Sequence, residues 1–205
     1  MSARFPGAKD LDQYWSNLIE GVCSIREIPP ERWDVSKYYS PRPGVPGKTV
    51  SKWAGILDDV DRFDAKHFGI SPHEAQRMDP QQRLLLEVCW ETLESAGYAG
   101  GNLSGSDTGV FVVISLHDYM RGLLAESNDV DAYVASGNFL SIAANRLSYV
   151  LDLKGPSMAV DTACSSSLVA LHLAGGSLRR GECHAAIVGA AHLHFTPELY
   201  INFSQ

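Results

Sequence analysis

The sequence predicts an α/β fold with a mixed or parallel sheet, and three apolar runs carry that expectation. Residues 108–114 (Thr-Gly-Val-Phe-Val-Val-Ile) form a continuous run rich in β-branched side chains, the pattern of a strand covered on both faces. Residues 156–161 and 185–191 read as two further strands. Helical patterns at 141–150 and 165–179 fall between them, and such alternation marks strands of one sheet joined through helices.

Taken in order, Leu11, Tyr14, Trp15, Leu18 and Ile19 recur at helical spacing, and Gly21 closes that helix. Residues 28–52 hold Pro29, Pro30, Pro41, Pro43 and Pro46 with Gly44 and Gly47. They read as a long irregular segment in which Trp33, Tyr38, Tyr39 and Trp53 serve as packing anchors; long ordered loops are often functional or interfacial. Asp79-Pro80-Gln81-Gln82 is a helix start: Asp79 caps, Pro80 takes the first helical position, and Gln82 reaches back as in a capping box. Leu84, Leu85, Val88, Cys89, Thr92, Leu93 and Ala96 continue that helix as an apolar stripe ended by Gly97.

The chain has 205 residues, enough to bury one core or two small ones. Hydrophobic residues at 45% and charged residues at 20% fit a globular protein. A formal charge of −7, with no basic run beyond Arg179-Arg180, argues against nucleic-acid binding, which needs clustered Lys and Arg. No apolar stretch approaches the ~20 residues that cross a bilayer, and residues 1–10 lack the apolar core of a signal peptide. A cytoplasmic chain without a membrane partner is expected. The four cysteines include no C-x-x-C pair, so neither a zinc site nor a disulfide framework is expected. Cys89, Cys23 and Cys183 read as structural core thiols.

Chemistry concentrates at Gly155-Pro156-Ser157-Met158-Ala159-Val160-Asp161-Thr162-Ala163-Cys164-Ser165-Ser166-Ser167-Leu168. A strand runs into a tight polar turn and a helix begins at once, the layout of a nucleophile elbow with Cys in the serine position. The unpaired N–H groups and dipole of a helix start favour a thiolate there. Small neighbours (Ala163, Ser165, Ser166) leave room for a bulky thioester. By itself, a cysteine before a Ser-rich helix start fits a buried structural thiol as well as a nucleophile.

Asp161-Thr162-Ala163-Cys164-Ser165-Ser166-Ser167-Leu168 resembles the active-site signature of the ketosynthase domains of modular polyketide synthases. Other landmarks of that family occur in order: Arg4-Phe5-Pro6-Gly7, Pro30-Glu31-Arg32-Trp33-Asp34, Phe68-Gly69-Ile70-Ser71-Pro72, Met78-Asp79-Pro80-Gln81-Gln82-Arg83, and Asn145-Arg146-Leu147-Ser148-Tyr149. The resemblance implies the amino-terminal half of a thiolase-like fold, a mixed sheet flanked by helices, over residues 1–205. It implies that Cys164 accepts an acyl chain from the phosphopantetheine of an acyl carrier protein, with Thr162, Ala163 and Ser165 supporting the site and no bound cofactor or metal. A carrier-borne malonyl-type extender is then decarboxylated and joined to the acyl group by Claisen condensation. Ketosynthases dimerise, and residues 135–140 with the strand before Cys164 are implied at that interface.

The resemblance also implies parts that these residues do not contain: a first strand before Arg4, and a second half bearing two histidines and a lysine. His172 cannot substitute, being eight residues beyond Cys164 on one helix, roughly 12 Å along the axis, whereas proton transfer needs about 3 Å. A truncated synthase is therefore expected, active in condensation only when completed by a complementary half, the alternative being an inactive half-domain that acts as an interaction module. His184, His192 and His194 cluster late in the chain, with 192 and 194 on one face if the strand continues, and their role is open. His67, His73 and His117 read as surface residues.

Overall fold

The computed structural model describes residues 1–98, 101–126 and 130–205. They divide into two compact units, one formed by Ala3–Asp59 with Leu193–Gln205, the other by Met1–Ser2 with Val60–His192.

In the first unit lie α1 (Leu11–Glu20), β1 (Ile25–Glu27), α2 (Val35–Tyr38), β2 (Trp53–Gly55) and, from the end of the chain, α9 (Glu198–Asn202). The carboxylate of Asp10 caps α1 by accepting from the Gln13 N–H at 2.8 Å, and Gly21, at φ 67°, closes it in the left-handed conformation that suits glycine. The expected apolar stripe of α1 is present but buries nothing: Trp15, Leu18 and Ile19 all lie exposed. The small core is Ile28, Trp33, Ala54 and Ile56, with Val35, Tyr38 and Tyr200 packed on it. Trp33 and Tyr38 thus act as anchors, but Trp53 does not. It sits in a two-stranded antiparallel ribbon opposite Glu27, exposed, with the Lys52 ammonium 5.6 Å from its ring centre.

The second unit holds α3 (Pro72–Arg77), α4 (Pro80–Ser95), β3 (Gly109–Ile114), α5 (Asp118–Glu126), α6 (Ala132–Asn138), α7 (Leu140–Val150), β4 (Ser157–Ala159), α8 (Ser166–Arg180) and β5 (Ala186–Ala191). Its sheet runs β4-β3-β5, with β3 parallel to both neighbours. Every residue of β3 is buried. Its pleat sends Val110, Val112 and Ile114 into one core with Leu85, Leu86, Ala143 and Leu147 of α4 and α7. Phe111 and Val113 point the other way, toward Ala170 and Ala174 of α8. Helices therefore cover both faces, which is why residues 108–114 read as an unbroken apolar run.

The start of α4 is as expected in its cap and different in its return bond. Asp79 accepts from the Gln81 N–H at 2.8 Å. Gln82 does not reach back; its side chain donates to the Phe139 carbonyl at 3.4 Å and accepts from Arg146 Nε at 3.2 Å. Gln81 instead donates to Asp79 Oδ2 at 3.2 Å and to the Leu116 carbonyl at 3.1 Å. Both glutamines are buried, so their amides are taken up by partners: Gln82 by other elements, Gln81 by its own cap Asp79 and by Leu116.

Candidate active site

The ladder between β3 and β4 continues one step past Ala159, where the Val160 N–H donates to the Val112 carbonyl at 2.8 Å. The chain then leaves the sheet at Asp161, makes one 3-10 turn at Ala163–Ser165, and enters α8 at Ser166. Cys164 lies in that turn and is exposed. Its sulfur is therefore not held among aliphatic side chains but stands at the carboxyl end of a parallel strand and at the amino end of a fifteen-residue helix.

Thr162, Ala163 and Ser165, named with Cys164 from the sequence, surround it on the same turn and are also exposed. Ser165 Oγ donates to the Thr162 carbonyl at 2.8 Å and lies 2.9 Å from Thr162 Oγ1. Ala163 adopts φ 55°, a left-handed conformation that crowds a Cβ against the following carbonyl. Asp161 and Ser166 also hold this turn. The Asp161 carboxylate accepts from the Ala163 N–H at 3.0 Å and from Ser115 Oγ at 3.2 Å. Ser166 is 1% exposed, which places it under the turn; its Oγ accepts from the Thr162 N–H and donates to the Ala163 carbonyl, both at 2.7 Å. Sequence reasoning missed Ser115 and the separate job of Asp161. The signal for Ser115 was its position, directly after the buried run of β3 and so at the same sheet end as Cys164.

The other thiols divide differently from expectation. Cys89 and Cys183 are buried, and burial pushes the Cys89 thiol up to about 12. Cys23 is exposed, because it lies between Gly21 and β1, where no core covers it.

The late histidines do not continue a strand. β5 ends at Ala191, so His192 and His194 share no strand face. His192 is exposed, and His194 meets the Tyr200 ring edge-on at 5.3 Å. His184 pairs with Asp107, and its hydrogen bond holds that carboxylate below the usual range. Among the described residues no group of three or more His, Cys, Asp or Glu is placed to hold a metal ion. His67, His73, His117 and His172 are exposed. No helix among the described residues is long and apolar enough to cross a membrane.

A parallel sheet with a buried middle strand, handing an exposed cysteine to a helix start through a left-handed turn, defines an α/β protein of the nucleophile-elbow kind. The whole chain, residues 1–205, matches the family described as Beta-ketoacyl synthase, N-terminal domain. The chain belongs to that family, and the relatives it matches below are polyketide synthases. It is 48% identical over its full length to the polyketide synthase ThaG of Burkholderia thailandensis, of which it covers 4%. It is 46% identical, again over its full length, to a phenolphthiocerol/phthiocerol polyketide synthase polypeptide of Mycobacterium tuberculosis, of which it covers 11%.

Solved structures agree on the thiolase-like ketosynthase fold. The oxazolomycin ketosynthase domain OzmH KS7 of Streptomyces albus superposes with a TM-score of 0.90 at 41% identity, over 98% of this chain and 35% of that one. The ketosynthase from module 6 of the bacillaene synthase of Bacillus subtilis superposes with a TM-score of 0.85 at 42% identity, over 98% and 32%. The chain thus spans about a third of those ketosynthase chains and a far smaller share of the full synthases.

Proposed function

We propose that Cys164 is the nucleophile that receives an acyl group from the phosphopantetheine thioester of an acyl carrier protein, the loading step of a decarboxylative condensation in polyketide or fatty acid biosynthesis. The observation that carries this reading is the exposure of Cys164 on the strained turn between β4 and α8. In the step, the Cys164 sulfur attacks the thioester carbonyl and a new C–S bond forms. The carbon–sulfur bond to the carrier breaks, and the carrier leaves as a thiol with the proton that Cys164 gives up. The Cys164 backbone N–H, in the first turn before α8, can donate to the oxyanion. Thr162, Ala163 and Ser165 shape the turn. No cofactor of the chain's own is needed, because the substrate brings the phosphopantetheine.

In this reading residues 1–205 form part of a ketosynthase, and decarboxylation and carbon–carbon bond formation need the complementary part. Two features support the reading. The histidine carried by α8, His172, stands two turns beyond Cys164, roughly 12 Å along the helix. And α8 is apolar on both sides: Ala170 and Ala174 face the sheet, while Leu168 is 74% and Leu171 59% exposed. Leucines exposed on the side of a helix away from its packed face suit a further partner, and a complementary ketosynthase portion is the proposed cover. The exposed leucines also support a second reading, an interaction module docking through α8 without chemistry at Cys164. A homodimer through β4 and residues 135–140 is consistent with the exposed Phe139 and Met158.

Incubation with an acyl-pantetheine thioester separates the two readings. Acyl mass on the Cys164 peptide, absent in Cys164→Ala, supports the enzyme; no acyl mass on that peptide leaves the docking module. The isolated chain is expected to yield no β-ketoacyl product from acyl and malonyl carriers, and product without an added complementary part would overturn that.

A further inference from the structure

We propose that Asp161 is a positioning residue for Cys164: its carboxylate pins the left-handed backbone at Ala163 to the buried middle strand and so fixes where the sulfur stands. The proposal rests on the reading of Cys164 as nucleophile.

Alanine at φ 55° is disfavoured and persists only where its surroundings over-determine it. The angle φ turns about the N–Cα bond, so it is fixed when the N–H on one side and the carbonyl on the other are both held. Asp161 Oδ1 takes the Ala163 N–H at 3.0 Å, and Ser166 Oγ gives to the Ala163 carbonyl at 2.7 Å. Ser166 is itself buried and anchored in α8. Asp161 lies on the exposed turn; Ser115 Oγ, on the residue directly after β3, ties it to the fold at 3.2 Å, and the buried Ser166 Oγ lies 3.5 Å from the same oxygen. The carboxylate thus couples a rigid strand to the turn that carries the nucleophile. Without its acceptor, Ala163 is released to relax to negative φ, and the peptide that carries Cys164 rotates with it. A carboxylate beside a forming thiolate would on charge alone slow the sulfur, so the role inferred is geometric.

The four cysteines make the test self-calibrating. The full chain is treated with iodoacetamide at neutral pH, and alkylation of each cysteine peptide is followed by mass. Exposed Cys23 reports ordinary thiol reactivity, and buried Cys89 and Cys183 report that the fold is intact. Asp161→Ala is expected to lower the Cys164-to-Cys23 rate ratio about tenfold, the scale of releasing one strained residue. Asp161→Asn, whose Oδ1 still accepts the Ala163 N–H, should stay near wild type. Glycine adopts positive φ freely, so Ala163→Gly introduced into Asp161→Ala should recover most of the loss.

Asp161→Ala at the wild-type ratio, Asp161→Asn as slow as Asp161→Ala, or no recovery in the double variant would each overturn the positioning role. If Asp161→Ala unmasks Cys89 and Cys183, the Asn and double variants still decide. A wild-type ratio near one sinks the nucleophile reading and the clamp together, whereas a high wild-type ratio indifferent to Asp161 sinks the clamp alone.

Discussion

Replacing Asp79 by Asn should remove a pH dependence of stability that the fold builds in at the head of α4. Burial pushes the Asp79 carboxyl up from 3.8 to about 6, with the neighbouring Asp118 adding to the rise and the Gln81 hydrogen bonds and His117 opposing it. The native state then holds a proton that the unfolded chain has already released, so stability falls as pH climbs from 3.8 toward 6 and stays lower above it. A shift of that size corresponds to roughly 3 kcal/mol at the upper plateau. Asn caps a helix as well as Asp, so its Oδ1 keeps the Gln81 N–H. Its amide would face the Gln81 side-chain amide, which donates to Asp79 at 3.2 Å, at a cost of about 1 kcal/mol that does not vary with pH. The readout is therefore the slope. By about pH 5 roughly half of the plateau loss has already occurred, so urea unfolding at about pH 5 and about pH 7.5 samples the rest. Over that interval wild type should lose roughly 1.5 kcal/mol more than Asp79→Asn. Equal slopes in the two proteins would refute the assignment.

Two glycines should respond oppositely to alanine. A Cβ at Gly137 would stand 2.7 Å from the Arg77 carbonyl oxygen and 2.8 Å from Met78 Cα, so Gly137→Ala should cost about 2 kcal/mol by overpacking. Gly122, inside α5, has nothing within 4 Å of that position, so Gly122→Ala should stabilise by roughly 0.5 kcal/mol; thermal melts of the pair check both signs. Cys164→Ala should change stability by no more than about 0.5 kcal/mol, since an exposed thiol contributes little packing, and a larger loss in urea unfolding would make Cys164 structural.

The sequence showed best what is set by long apolar patterns. Residues 108–114 are buried on both faces by α4, α7 and α8, and that double cover is what an unbroken β-branched run encodes. Most of the elements that were not legible are short. α2 and α6 have four and seven residues and β1 and β2 three each, and their existence depends on tertiary contacts rather than period. Gln82 shows the limit of local motifs: the capping-box pattern was present, but burial against Phe139 and Arg146 gave the amide better partners. At the candidate site, the strand–turn–helix layout around Cys164 was readable from residue types alone. The left-handed Ala163 was not, because alanine gives no hint of positive φ, and the bonds from Asp161 and Ser166 that hold it cross between elements.

The most direct test of Cys164 as an acyl acceptor is a protection experiment. The chain is incubated with an acyl-pantetheine thioester, alkylated with iodoacetamide, and its cysteine peptides compared before and after hydroxylamine, which cleaves thioesters. Cys164 alone among the exposed thiols is expected to escape alkylation, with Cys23 alkylated as usual and hydroxylamine restoring Cys164. Equal alkylation of Cys164 and Cys23 after thioester treatment would contradict it.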